Sequence, residues 1–176
     1  MDLDFDVVDL PEPTHPTEGE QAPDFERPLV TDEYWEDATL SELTTDGPVA
    51  LVFHPMVGAF PATYIWQALL EKGFDQYEAT IVGISISTPY DFKSFIEERD
   101  LAGTGVRFFS DPSNEVAASY GVSNDLDGMA GLEEPRPAVF LVDEDRTVRY
   151  AWAAREHPEF PDYDEFQEAV EALVSA

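Results

Sequence analysis

Residues 51–66 read LVFHPMVGAFPATYIW, and they divide into an apolar run, a short stretch rich in Pro, Gly and small residues, and the opening of a helix. The run that starts at Pro48, PVALVF, has strand length and almost no polar residue, the pattern of a strand buried on both faces of a parallel sheet. Pro61 suits the first turn of a helix, where its missing N–H would have had no partner. Tyr64, Ile65, Ala68 and Leu69 then predict an apolar stripe that ends near Gly73. A strand delivered into a helix start commonly presents a reactive group at the turn, yet no nucleophile of the usual kind stands there.

The same unit recurs downstream. ATIVGISIS (79–87) reads as a second buried strand, and TPYDFKSFIEERDL (88–101) as a helix with a Thr-Pro start and Phe92, Phe95 and Ile96 at helical spacing. A short strand at VRFFS (106–110), a helix at PSNEVAASYG (112–121) closed by Gly121, and strands at AVFLVD (138–143) and TVRYAW (147–152) joined by the turn EDR follow. An acidic helix from about Tyr163 to Val174 closes the pattern. This alternation predicts α/β layering around a central mixed sheet. Upstream, residues 1–18, including PEPTHPT, combine Pro and acids with few large apolar groups and are expected to form an extended or mobile acidic arm, leaving one domain over 19–176. Between QAPDFERPLV (21–30) and TLSEL (39–43) an acidic loop is expected, with Thr39 or Ser41 capping a single helical turn.

Composition narrows the function classes. The 176 residues contain no cysteine, which excludes disulfides, thiolate metal sites and any mechanism through the chain's own thiol. Against 38 Asp and Glu stand 9 Lys and Arg, a formal net charge of -29 that disfavours nucleic acid and anionic membrane as partners. Such a surface repels itself in dilute buffer, whereas at ~1 M salt the screening length falls to about 3 Å. We therefore expect a halophilic protein. An acidic N-terminus, MDLDFDVVDL, and the lack of any ~18-residue apolar stretch lead to the further expectation of a soluble, cytoplasmic chain.

Several strings, in order, resemble the peroxiredoxin (alkyl hydroperoxide reductase and thiol-specific antioxidant) branch of the thioredoxin-like fold. QAPDF (21–25) resembles the family's opening A-P-D-F, and TLSEL its turn before the first buried strand. VGISISTPYDFKSF (82–95) resembles its strand and helix after the active site. FSDPSNEVAASYGV (109–122) matches its S-D-x-x-x-x-x-A-x-x-Y-G-V signature, and FLVDEDRTVRY (140–150) its closing hairpin. The resemblance implies a thioredoxin-like fold, descent that fits the labels redoxin, antioxidant and oxidoreductase, and a homodimer.

In the family's active-site string a Pro is followed four residues on by Thr or Ser and three further on by the peroxidatic Cys. By that correspondence Pro55 leads to Ala59 and then to Ala62. His54 with Pro55 resembles the His-Pro pair of the one-cysteine members, and Thr63 the Thr after their cysteine. The family's active-site Arg precedes the hairpin Asp by six residues, a place that Pro137 takes; Arg136 precedes Asp143 by seven. Pro137 could instead resemble the cis-proline of thioredoxins. A methyl group cannot attack an O–O bond, and Met56 reads as packing.

Three functional readings follow. The first is a degenerate peroxiredoxin-like protein, inert toward peroxide, whose retained pocket or dimer surface binds a protein or small molecule. The second is an enzyme, either redox-active through a partner's thiol or using His54 as base, Thr63 as nucleophile and backbone N–H groups near Ala62 and Thr63 as an oxyanion site. The third is a cation loop at SNDLDGMAGLEE (123–134), where Ser123, Asp125, Asp127, Gly128 and Glu134 stand at EF-hand-like positions, though Pro135 stands where a helix should begin. His15, His54 and His157 are too scattered to suggest a transition metal, and no cofactor is implied. Trp66, Tyr150 and Trp152 read as core or subunit-contact aromatics.

Overall fold

A computed structural model describes residues 7–175 of the chain. In chain order its elements are β1 (Val8–Asp9), β2 (Glu26–Val30), β3 (Trp35–Thr39), α1 (Leu40–Thr44), β4 (Val49–Phe53), α2 (Phe60–Glu71), β5 (Thr80–Ser85), α3 (Pro89–Glu98) and β6 (Arg107–Ser110). Then follow α4 (Glu115–Ser119), β7 (Ser123–Asn124), β8 (Glu134–Pro135), β9 (Ala138–Val142), β10 (Val148–Ala153), β11 (Glu156–His157) and α5 (Tyr163–Val174). Seven strands form one mixed sheet in the order β10-β9-β4-β5-β6-β2-β3. The pairs β4–β5 and β5–β6 are parallel and the others antiparallel. This is the thioredoxin-like α/β arrangement, with helices on both faces.

Strand alternation sorts the core into two layers. Val49, Leu51 and Phe53 of β4 face one way, with Phe140 of β9 and with Val116, Ala117 and Tyr120 at and beside α4. Ala50 and Val52 face the other way, against Ile65, Trp66 and Leu69 of α2, Phe92, Phe95 and Ile96 of α3, and Phe166 of α5. The central strand β4 is buried at every position, as its unbroken apolar run predicts. Gly83 of β5 is where the second layer is tightest: a Cβ there would lie 2.6 Å from both Trp66 and Phe108.

Helix starts follow their capping chemistry. Thr39 accepts from the Glu42 N–H and Thr88 from the Asp91 N–H, the latter followed by Pro89 at the first helical position. Asp162 likewise caps α5 through the Glu165 N–H.

The structure corrects two local expectations and bears on two others. The acidic stretch before TLSEL is not a loop: it is β3, an edge strand whose Trp35, Glu36 and Asp37 are all exposed, so its sequence carries no buried alternation. Tyr64 is exposed rather than part of the apolar stripe of α2, and Trp66 takes its place on the buried face. The expected N-terminal arm lies outside the described residues over 1–6, but from residue 7 on it is held to the body. Val8 and Asp9 pair with β11, Leu10 N–H donates to Arg155 O at 2.9 Å, and the His15 ring meets Phe140 edge-on at 5.5 Å. Pro137 is not cis; among the described residues the only cis peptide bond is His157–Pro158.

Candidate functional site

β4 ends by delivering His54, whose N–H donates to Ile84 O at 3.2 Å, onto the α2–α3 face of the sheet. The imidazole is completely buried, perpendicular to the rings of Trp66, Phe92 and Phe108 at centroid distances of 6.0, 6.4 and 6.1 Å. Its Nδ1 lies 2.7 Å from Pro55 O, which assigns the proton to Nδ1. Burial pushes its pKa down to about 4, against the pull of the Pro55 carbonyl, so the ring is neutral at pH 7. Nε2 is buried with no hydrogen-bond partner among the described residues, as are Trp66 Nε1 and Ser85 Oγ.

The turn between His54 and α2 is pinned from two distant segments. Val57 N–H donates to Ser87 Oγ at 2.9 Å, and Met56 N–H donates to Glu134 Oε2 at 3.2 Å. Gly58 takes φ +97°, a conformation open to glycine and costly for side chains. α2 then begins with Ala59 at the N-cap, where no side chain can cap, followed by Phe60 and Pro61. Ala62 is wholly buried in this first turn. Phe60, exposed Tyr64 and Phe160 form an aromatic cluster beside the turn, with centroids 6.0 to 6.4 Å apart.

The other predicted residues lie elsewhere. Thr63 lines a groove of about 380 Å³ with Trp66, Leu70 and Arg99, and no hydrogen bond joins it to His54. The structure does not join the two in a base–nucleophile hydrogen bond. Arg136 is buried but does not hydrogen-bond to the turn. Its Nη1 donates to Pro11 O at 2.8 Å and Ala154 O at 3.0 Å, and its Nε donates to Asn124 Oδ1 at 2.7 Å. It is a structural clamp. In the predicted cation loop Asp125 Oδ1 accepts from Gly128 N–H at 2.8 Å, and Glu134, in a strand, accepts the Met56 N–H through Oε2. Among the described residues no group of three or more His, Cys, Asp or Glu is placed to hold a metal ion.

Glu134 and Ser87 were missed by reasoning from sequence as supports of the turn. Glu134 is 1% exposed, and burial, Asp127 and Asp125 push its pKa up to about 8 against the Met56 N–H. The shift favours its neutral form near neutral pH.

The sequence pattern of the AhpC/TSA family matches residues 19–151. The chain belongs to the AhpC/TSA family. A provisionally named peroxiredoxin of Mycobacterium tuberculosis (strain H37Rv) is 33% identical over 132 residues, covering 74% of this chain and 80% of that protein. One from Pyropia yezoensis is 26% identical over 139 residues, covering 76% of this chain and 66% of its own length. Among solved structures, the peroxidoxin BcpB of M. tuberculosis superposes with a TM-score of 0.70 at 28% identity, covering 92% of this AhpC/TSA chain and 98% of its own. M. tuberculosis AhpC superposes at 0.74 with 20% identity over 91% and 94%, a likeness of fold.

Proposed function

We propose that this AhpC/TSA-family protein no longer reduces peroxide and instead binds a partner protein or small molecule at the surface around the start of α2, in a salt-accumulating cytoplasm. One observation carries the reading: Ala62, a buried methyl, occupies the place where the family resemblance puts the peroxidatic sulfur, in a chain without cysteine. Peroxide reduction in this manner requires a thiolate to attack the O–O bond and become a sulfenic acid, and a methyl has no electron pair to offer. The aromatic cluster of exposed Tyr64 with half-buried Phe60 and Phe160 supports the binding half, because aromatics at the surface beside a preformed turn give contact area at low entropic cost. The same reading holds that the chain dimerises.

The test is peroxide consumption with a thiol reductant in molar salt, comparing wild type with an Ala59→Thr, Ala62→Cys double variant. Wild-type turnover is expected to equal the protein-free blank. Wild-type consumption as fast as that of the cysteine variant would overturn the proposal.

A further inference from the structure

β3 closes one end of the seven-stranded sheet, paired to β2 on its inner side only. Thr31 N–H donates to Tyr34 O at 2.9 Å, which sets the alternation of the antiparallel pair. Residues 34, 36 and 38 exchange hydrogen bonds with the β2 side, while Trp35 and Asp37, opposite Val30 and Pro28, turn their N–H and C=O groups outward. Pro28 has no N–H to give, in keeping with that register. An edge of this kind is a template for another strand.

Its surroundings select the strand. Alternation sends Trp35 and Asp37 to the α3 side, where the Trp35 ring meets Tyr90 edge-on at 5.1 Å, and sends Glu36 to the opposite face with Ala38. Tyr90 is 73% exposed and Trp35 37%. The β2–β3 hairpin is held in place from α3 and beyond: Lys93 Nζ donates to Glu33 O at 2.8 Å, and Gly103 N–H donates to Asp32 Oδ2 at 3.0 Å. Lys93 is thereby spent on a carbonyl and Arg27 on Asp111 and Glu115, so among the described residues Glu36 and Asp37 enter no ion pair. A second copy fits this edge badly. Two-fold pairing centred on Trp35, Glu36 or Asp37 would set Asp37 against Glu33, Glu36 against Glu36, or Asp37 against Asp37, and like charges directly opposite destabilise a strand pair.

We propose that the outer edge of β3 takes up an extended, arginine-bearing peptide segment of a partner protein as an added strand. The segment's backbone bonds to Trp35 and Asp37. Two of its side chains on the α3 side, two residues apart, set one guanidinium on the Trp35 and Tyr90 rings and another on the Asp37 carboxylate. Contacts this close persist in molar salt, where the screening length is still about 3 Å.

The probe is a short blocked peptide alternating Arg with Val, titrated in molar KCl beside a counterpart with Glu in place of Arg and followed by amide hydrogen exchange. Saturable binding of the Arg peptide is expected. Exchange at the Trp35 and Asp37 amides should slow about tenfold at a peptide concentration about ten times Kd, with no change at Glu36, whose N–H already pairs with β2. Trp35→Ala should weaken binding about tenfold, and Asp37→Lys should turn the preference toward the Glu peptide. Both positions are exposed, and unchanged far-ultraviolet circular dichroism checks that the variants fold. Binding that leaves the Trp35 and Asp37 amides unprotected, equal binding of the two peptides, or an Arg preference retained in Asp37→Lys would each overturn the proposal. Concentration-dependent protection of the same amides without peptide would assign the edge to a second copy and overturn it as well.

Discussion

The Nε of Arg27, in β2, donates to Oδ1 of Asp111 at 2.9 Å, and Asp111 is 1% exposed. The other carboxylate oxygen accepts the Val116 N–H of α4 at 3.0 Å, so one side chain ties an outer strand to a helix on the sheet's face. Asp111→Ala leaves Arg27 with exposed Glu115 as its remaining ion-pair partner and the Val116 N–H without its acceptor. A loss of about 2–4 kcal/mol in denaturant unfolding is expected. A change under about 0.5 kcal/mol would show that the pair is dispensable.

Gly83→Ala tests the packing of the second core layer. The new Cβ would meet ring carbons of Trp66 and Phe108 at 2.6 Å, and neither ring has room in a layer closed by Phe92 and Phe95. Destabilisation of about 1–3 kcal/mol is expected from overpacking, with a changed Trp66 environment in near-ultraviolet circular dichroism.

His54 makes the fold acid-sensitive. Its folded-state pKa of about 4 lies below the ordinary 6.5, so the unfolded chain binds a proton more readily as pH falls below 6.5. The stability it contributes is present above pH 6.5 and is lost progressively toward about pH 4, an effect of at most about 3 kcal/mol. In His54→Phe this part of the pH dependence should vanish. Parallel stability–pH curves for the two proteins would contradict the assignment.

Glu134 has the opposite sign. Its pKa is raised, so its contribution is present below 4.5 and is lost as pH rises to about 8. Relative to wild type, Glu134→Gln should gain stability across that window, as read by urea unfolding at fixed salt.

Ionic strength should act on the whole surface. With a net charge of -29, dilution from molar salt to about 0.01 M lengthens the screening distance to about 30 Å and exposes the carboxylates to one another. Loss of far-ultraviolet circular dichroism is expected, and an unchanged spectrum in dilute buffer would count against the halophile reading. Sedimentation velocity in molar salt tests the proposed dimer, which a purely monomeric profile at all concentrations would exclude.

The main lines of this fold were legible because they rest on local chemistry. The apolar run of β4, the Thr88-Pro89 helix start and the serine–aspartate string at 110–111 each announce themselves within a few residues. β3 was not legible, because an edge strand held by backbone pairing to β2 needs no buried side of its own. The turn itself was found, but its supports were not. Met56 and Glu134 are 78 residues apart, and nothing near either one marks the contact. Arg136 stands one residue off the family's spacing, and spacing does not say which way a guanidinium points.

That guanidinium also bears on where the protein can be cut. A fragment trimmed to the family-matched span, residues 19–151, would lose Pro11 and Ala154, the two carbonyl acceptors of Arg136 Nη1. It would also lose α5, leaving Phe74 without the ring of Phe166 that stacks on it at 4.9 Å. The part that kinship recognises therefore leaves structural contacts of the fold beyond both of its ends.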